Sequence, residues 1–309
     1  MSSATTKIAG PEPHRENAAF AAVDAALGVE KPSGKGAKDE NFPVGSFLID
    51  AKLRPHVATF YAFARAIDDI ADDEDLPDAE KVRRLRLMDA ALKGESDETG
   101  LEKAIALRRS LSSLGVTPRH GSDLIAAFIQ DCEKRRYASW EELIGYCEKS
   151  ANPVGRYLLD IHGEDPAFYP HSDALCTVLQ ITNHLQDCAD DRRSLDRVYL
   201  IEPWLKEAGG GVEDLDGAHS SAAIEATKQR MLDGCQALMV SARALPASLK
   251  SRRLAMESGV IVRLAQRLID ILRVGDPIAS RVALAKADFA RASVGGVVAG
   301  FLSAGGRAR

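Results

Sequence analysis

Residues 61–73 read YAFARAIDDIADD, and on an α-helix Tyr61, Arg65, Asp68 and Asp72 fall at offsets 0, 4, 7 and 11, one stripe along one face. Asp69 and Asp73 flank the stripe, while Phe60, Phe63, Ala64, Ile67 and Ala71 fill the other positions. An amphipathic helix turns its apolar residues inward and scatters its charges outside. Such a regular polar stripe is therefore either an exposed acidic helix end before the loop at Pro77, or one wall of a polar cavity. Carboxylates one turn apart repel by roughly 0.2–0.5 kcal/mol per pair, and the macrodipole at a helix C-terminus adds to the penalty. Stability alone does not select this stretch.

A second stretch of the same design lies more than a hundred residues later. In LQITNHLQDCADDRRSLDRVYL, residues 179–200, Gln180, Asn183, Asp187 and Asp191 fall at offsets 0, 3, 7 and 11. Both stripes have the same length, end in Asp-x-x-x-Asp and are preceded by hydrogen-bonding residues. The pair predicts two helices facing each other across a cavity whose carboxylates need cations. Hard divalent ions suit oxygen-lined walls, and magnesium in particular keeps several waters and is held by one or two carboxylates plus substrate phosphates. The pattern thus points to a diphosphate ligand. The net charge of −5 does not attract an anion globally, so metal bridging and local arginines must do so. No nucleic-acid partner is expected.

For 309 residues the length prior suggests two domains, but the stripes lie in different halves and make sense only together, so one domain is expected over 41–293. The 45% hydrophobic, 28% charged composition fits a soluble protein with an ordinary core. Alanine, leucine and arginine abound and nothing alternates with period two, which predicts an all-α fold. Residues 1–40 read as a mobile N-terminal segment with one short helix near Glu16–Leu27, and 294–309 as a tail. Five cysteines without a CxxC pair point to a reducing cytoplasm, and no signal peptide is legible. Ala292–Gly306, 15 residues, falls short of the roughly 20 that cross a bilayer; peripheral membrane contact is the expectation there.

NFPVGSF, residues 41–47, reads as a loop followed by a first helix. Further helices are predicted from Arg54 or Pro55 to Asp73, over 78–93, 101–114 and 118–132, over 140–163 with a kink at Pro153, and over 171–191. A loop is expected at 201–220, then helices over 221–245, 251–273 and 277–293. A di-iron bundle needs Glu-x-x-His, which is absent; neither acidic stretch has the alternating acids and central glycine of an EF-hand; Gly209–Gly211 does not match a dinucleotide fingerprint. His184 reads as a packed neighbour of the site. Tyr146 reads as a core tyrosine, singled out only by the nearby kink. Arg197 and Tyr199 read either as a cap over a diphosphate or as mere neutralisers of Asp191 and Asp196.

These segments resemble the squalene and phytoene synthases, from about Asn41 to residue 290. The resemblance rests on Ser46-Phe47, on Tyr61, Arg65, Asp68, Asp69 and Asp72, on the Tyr146 segment, and on Gln180, Asn183, Asp187 and Asp191 with Arg197 and Tyr199. It implies one isoprenoid synthase helical bundle around a central apolar channel. It also implies magnesium as cofactor, held by Asp68, Asp72, Asp187 and Asp191 with Asp69 beside them, and prenyl diphosphates as substrates. Ser46, Tyr61, Arg65, Gln180, Arg197 and Tyr199 would bind substrate, and Tyr146, Asn152 and Asn183 would act at the reacting centre.

Departures refine this. The usual Val-Ala-Gly-x-Val-Gly after the tyrosine is Ser150-Ala151-Asn152-Pro153-Val154-Gly155, and the usual Asn-x-x-Arg-Asp is Asn183-His184-Leu185-Gln186-Asp187. With NFPVGSF and Asp196-Arg197-Val198-Tyr199-Leu200, they look like the bacterial branch that serves hopanoid biosynthesis, ionising presqualene diphosphate and quenching the cation with water to give hydroxysqualene. Asn152 and Ser150, polar where relatives are not, would position that water. The same fold performing the head-to-head condensation of two farnesyl diphosphates is the nearest alternative, and a non-catalytic scaffold relative the more distant one. Neighbouring pathway enzymes are the expected protein partners, in the cytoplasm or at its membrane.

Overall fold

The computed structural model describes residues 49–293. Ser46 and the expected terminal segments 1–40 and 294–309 lie outside that range. Where a first helix was expected, residues 51–53 form a turn leading directly into α1, Arg54–Asp72. Pro55 sits in its first turn, where the missing N–H costs nothing. Helix α1 buries Val57, Phe60, Phe63, Ala66, Ile67, Ile70 and Ala71.

Helix α2, Asp78–Lys93, ends at Gly94, whose left-handed backbone (φ +85°) lets its N–H cap the carbonyls of Ala90 and Ala91. Helices α3, Glu102–Leu114, and α4, Arg119–Glu133, complete a first apolar core with α1 and α2, in which Phe63, Ile67, Leu85, Met88 and Leu107 are fully buried. Here the predicted boundaries hold to within a residue.

The expected kinked helix over 140–163 is instead two helices, α5 (Trp140–Ser150) and α6 (Asn152–Ile161), meeting at Ala151. Pro153 has no N–H to bond back into α5 and its ring would meet the carbonyl four residues earlier, so it starts a new helix rather than bending the old one. Helix α6 then passes close to α7, Tyr169–Leu195. A Cβ on Gly155 would stand 2.3 Å from Ser172 Oγ and 2.6 Å from Cys176 Sγ.

Helix α7 exceeds the expected 171–191 at both ends. Arg192 and Arg193 favour its last turn through the macrodipole, and Asp196 closes it in the left-handed region at φ +52°. The expected loop at 201–220 contains a short helix α8, Glu202–Glu207, and a 3-10 turn, Val212–Asp216. Helices α9 (Ala222–Ala242), α10 (Leu245–Ser248) and α11 (Arg252–Val274) follow, with Ser221 and Ser251 as side-chain N-caps of α9 and α11. They enclose α7 in a second core that includes Val178, Ile181, Met231, Leu232, Cys235, Leu268 and Ile269.

The last helix, expected from 277, begins at 286. The Asp276 carboxylate accepts from Ser220 N and Oγ, Ile278 N and Ala279 N, which fixes a turn where a helix would have continued. Residues 275–285 therefore run as a strap across α7, and the Gln186 amide donates to the Val282 carbonyl at 2.5 Å. The described residues contain no strand, only one isolated bridge between Tyr137 and Ile201, as the absence of period-two patterning predicts. None of their helices is long and apolar enough to cross a membrane.

Candidate active site

The first acidic ridge stands half-buried on α1. Arg65 donates from Nη1 to Asp68 Oδ2 at 2.7 Å and from Nη2 to Asp69 Oδ1 at 3.4 Å. Asp72, two turns beyond Arg65, accepts at 2.6 Å from Nη1 of Arg197, a residue 125 positions away in sequence. Tyr61 begins the same stripe, also half-buried.

The second ridge follows α7. Gln180 Nε2 lies 3.0 Å from His184 Nε2; a donating amide makes that nitrogen the acceptor and leaves the ring proton on Nδ1. His184 Nδ1 in turn faces Asp191 Oδ2 at 3.7 Å. Asp187 pairs with Arg281 of the strap, Nε to Oδ1 at 3.1 Å. Burial raises the Asp187 carboxyl above the usual carboxylate range, Arg281 opposes the rise, and Asp191 adds to it. Asn183 is half-buried on the same face.

Between the ridges lies a buried polar hub. Arg197, 6% exposed, donates from Nε to the Asp131 carbonyl at 3.2 Å and from Nη2 to the Ala71 carbonyl at 2.9 Å, besides its pair with Asp72. Burial by itself would lower its pKa; the carboxylates of Asp72 and Asp131 outweigh that and keep the guanidinium firmly charged. Two residues on, the Tyr199 ring stacks on His184 with centroids 3.4 Å apart. Its hydroxyl donates to Asp131 Oδ1 at 3.0 Å, and Tyr146 donates to Asp131 Oδ2 at 2.7 Å.

The reading of the 197–199 segment as a neutraliser of Asp191 and Asp196 is thereby corrected. Asp196 is taken by Arg136 and Arg192, and Arg197 neutralises Asp72 of the opposite ridge, not Asp191 or Asp196. Arg197 and Tyr199 are both buried, and each is bonded to a neighbour. They form a bridge whose one end holds the first ridge and whose other end packs on the second. Tyr146 is buried as a core tyrosine should be, yet its hydroxyl goes to a carboxylate in this hub. Asn152 is also buried, its Oδ1 accepting from Thr177 Oγ1 at 3.0 Å across the close α6–α7 approach. Ser150 Oγ, near by in sequence, is buried without a hydrogen-bond partner among the described residues.

Sequence reading overlooked Asp131 and Arg281. The first carries a local signal, because Leu124, Ala127, Phe128 and Asp131 follow helical spacing on α4 and place a carboxylate in register with apolar residues. Arg281 carries none, since its position depends on the strap.

Among the described residues no three His, Cys, Asp or Glu side chains converge as a ready-made metal cage. Magnesium does not require one, because waters and substrate phosphates complete its octahedron. The donor set fits such an ion: the ridges offer carboxylate oxygens, and arginines now balance Asp68, Asp69, Asp72 and Asp187.

Comparison with known proteins agrees with this architecture. The squalene/phytoene synthase family model matches residues 36–288. The hydroxysqualene synthase of Rhodopseudomonas palustris is 44% identical over 266 residues, 86% of this chain and 90% of that protein. That of Zymomonas mobilis is 39% identical over 258 residues, 83% and 86% of the two chains. Among solved structures, a squalene synthase from Alicyclobacillus acidocaldarius superposes with a TM-score of 0.66 at 28% identity, covering 75% of this chain and 87% of its own. A dehydrosqualene synthase with bound ligand shares the fold at a TM-score of 0.71 and 16% identity, covering 86% and 93%. By the length of the family match, and by two acidic ridges set on the first and seventh described helices of an all-α bundle, this chain belongs to the squalene/phytoene synthase family.

Proposed function

We propose that this chain converts presqualene diphosphate and water into hydroxysqualene and diphosphate, as a magnesium-dependent carbon–oxygen lyase of hopanoid biosynthesis. The observation that carries the reading is the pair of acidic ridges joined through Arg197 and Tyr199, in a chain 39–44% identical to hydroxysqualene synthases over most of its length. Magnesium would be held by Asp68, Asp69, Asp72, Asp187 and Asp191, and would stabilise negative charge on the departing diphosphate.

The chain's own residues supply the rest. Arg65 and Arg281, each paired to a ridge carboxylate, can turn to diphosphate oxygens once cations take over those carboxylates. Tyr61 and Gln180 bind substrate beside them; Ser46, outside the described residues, is a further substrate-binding candidate. Apolar walls of a central channel exclude water until the cation has rearranged. Tyr146 and Asn183 act near the reacting carbon, and Asn152 with Ser150 holds the quenching water. The five free thiols fit a reducing cytoplasm. Contact with a membrane surface and with neighbouring pathway enzymes would supply and remove the oily molecules.

The test is incubation of purified protein with presqualene diphosphate, with and without magnesium, and identification of the product. Magnesium-dependent hydroxysqualene is expected; turnover of farnesyl diphosphate alone would replace this reading with the condensing activity. Asn152→Gly should divert product away from the alcohol, and an unchanged hydroxysqualene yield would remove Asn152 from the mechanism.

A further inference from the structure

Asp131 has no place in the chemistry above, yet it touches more of the hub than any ridge residue. It is 2% exposed and lies on α4, between the two ridges. Its carbonyl receives Arg197, which holds Asp72. Its Oδ1 receives Tyr199, whose ring packs on His184 opposite Asp191. Its Oδ2 receives Tyr146. Helix α5 and the segment after α7 thus meet at Asp131 directly, and α1 and α7 reach it through Arg197 and Tyr199.

We propose that Asp131 is a positioning residue that keeps the two acidic ridges in register and fixes the Tyr146 hydroxyl relative to both. The inference rests on the reading of the ridges as a diphosphate site. A charged carboxylate accepts both phenol protons, and such charge-assisted bonds are about twice as strong as neutral ones. A protonated carboxyl or an amide cannot accept both equally well, so one tyrosine is released. The groups facing Asp131 are Tyr146 and Cys147 from α5, His184 from α7, Arg197 and Tyr199 from the segment after α7, and Tyr137 from the segment after α4. Burial pushes its carboxyl up to about 6, with Arg197, Tyr146, His184 and Tyr199 restraining the rise, so the switch between the two forms falls at mildly acidic pH.

The closing experiment measures binding of inorganic pyrophosphate plus magnesium to the whole protein by calorimetry, for wild type, Asp131→Asn, Asp131→Glu and a core variant, Leu232→Ala. The amide should weaken pyrophosphate binding roughly tenfold, the scale of one lost charge-assisted hydrogen bond. The glutamate should restore part of it. Leu232→Ala, which opens a cavity in the second core, should lower the melting temperature without weakening pyrophosphate. In the ligand-free protein, the near-ultraviolet circular dichroism of the tyrosines should titrate with a midpoint near 6 in wild type and not in Asp131→Asn. Should Asp131→Asn fail to fold, Tyr199→Phe keeps the carboxylate and cuts only its link to α7; it should weaken pyrophosphate several-fold. Undiminished binding in either variant, or a loss matched by Leu232→Ala, overturns the proposal. Failure of wild type itself to bind pyrophosphate with magnesium overturns the reading of the ridges instead.

Discussion

The two ridges carry nearly the same sequence pattern but are balanced in different ways. On α1 the counter-charge to Asp68 and Asp69 is local, from Arg65 one turn earlier; only Asp72 looks outward, to buried Arg197. On α7 no arginine of the helix pairs with Asp187 or Asp191 among the contacts of the described residues. Asp191 faces the imidazole of His184, and Asp187 depends on Arg281, carried by the strap and half exposed. Local helical pairs are worth about 0.3–0.5 kcal/mol and persist with the helix. A pair delivered by a strap can open without unfolding anything. The first ridge is therefore a fixed wall and the second an adjustable one.

The largest effects should come from removing a ridge carboxylate. Asp72→Asn and Asp187→Asn should each reduce turnover of presqualene diphosphate by about 10³-fold, some 4 kcal/mol of transition-state stabilisation. They should part company in stability. Asp72→Asn leaves Arg197 buried without its carboxylate and lowers the melting temperature, whereas Asp187→Asn removes a carboxyl already strained by burial and does not lower it. Equal melting temperatures would erase the distinction between the walls.

Next comes the bridge itself. Arg197→Ala should cost about 3 kcal/mol in denaturant unfolding, because it breaks a largely buried pair and orphans two carbonyls. A loss below 1 kcal/mol would show that the ridges hold their spacing unaided.

The pH dependence of stability sharpens the contrast between a buried acid and a half-exposed one. Burial raises the Asp131 carboxyl to about 6, above the ordinary carboxylate range, so the folded state holds its proton more tightly than the unfolded state. As pH falls from about 6 to about 4, wild type should therefore gain roughly 2–3 kcal/mol relative to Asp131→Asn. Asp276, anchoring the strap through backbone and Ser220 donors, is shifted the opposite way. Its stabilisation is complete above the ordinary carboxylate range and is lost as pH falls through its lowered folded value, which Asp276→Asn should reveal as a shallower acid limb in urea unfolding.

The smallest stability change belongs to the adjustable wall. Arg281→Ala, at a half-exposed pair, should alter stability by no more than about 0.5 kcal/mol, while raising the Michaelis constant for the diphosphate substrate several-fold. An unchanged Michaelis constant would make Arg281 a mere counter-ion.

Much of this was legible in the chain. Helical periodicity placed α1 to α4 because each buries one continuous apolar stripe, and the offsets of Tyr61, Arg65, Asp68 and Asp72 located the first ridge without any tertiary information. Errors fell where side chains from distant segments decide the backbone. The strap is not helical because Ser220 donates to Asp276 from 56 residues away, and 140–163 divides because Pro153 begins a helix more readily than it bends one. Asp131 was visible only as a charge in an apolar register, with no way to know that two tyrosines would meet it.

By itself the sequence determined the all-α class and the two acidic ridges, since these depend on local spacing and on which side chains carry negative oxygen. Tertiary structure alone decided that Arg197 reaches Asp72 across 125 residues, that Tyr199 turns to Asp131, and that Arg281 arrives over Asp187. Such partners are chosen by the packing of helices remote in sequence, where burial makes every unpaired charge costly and the fold must bring its complement from wherever the chain provides one.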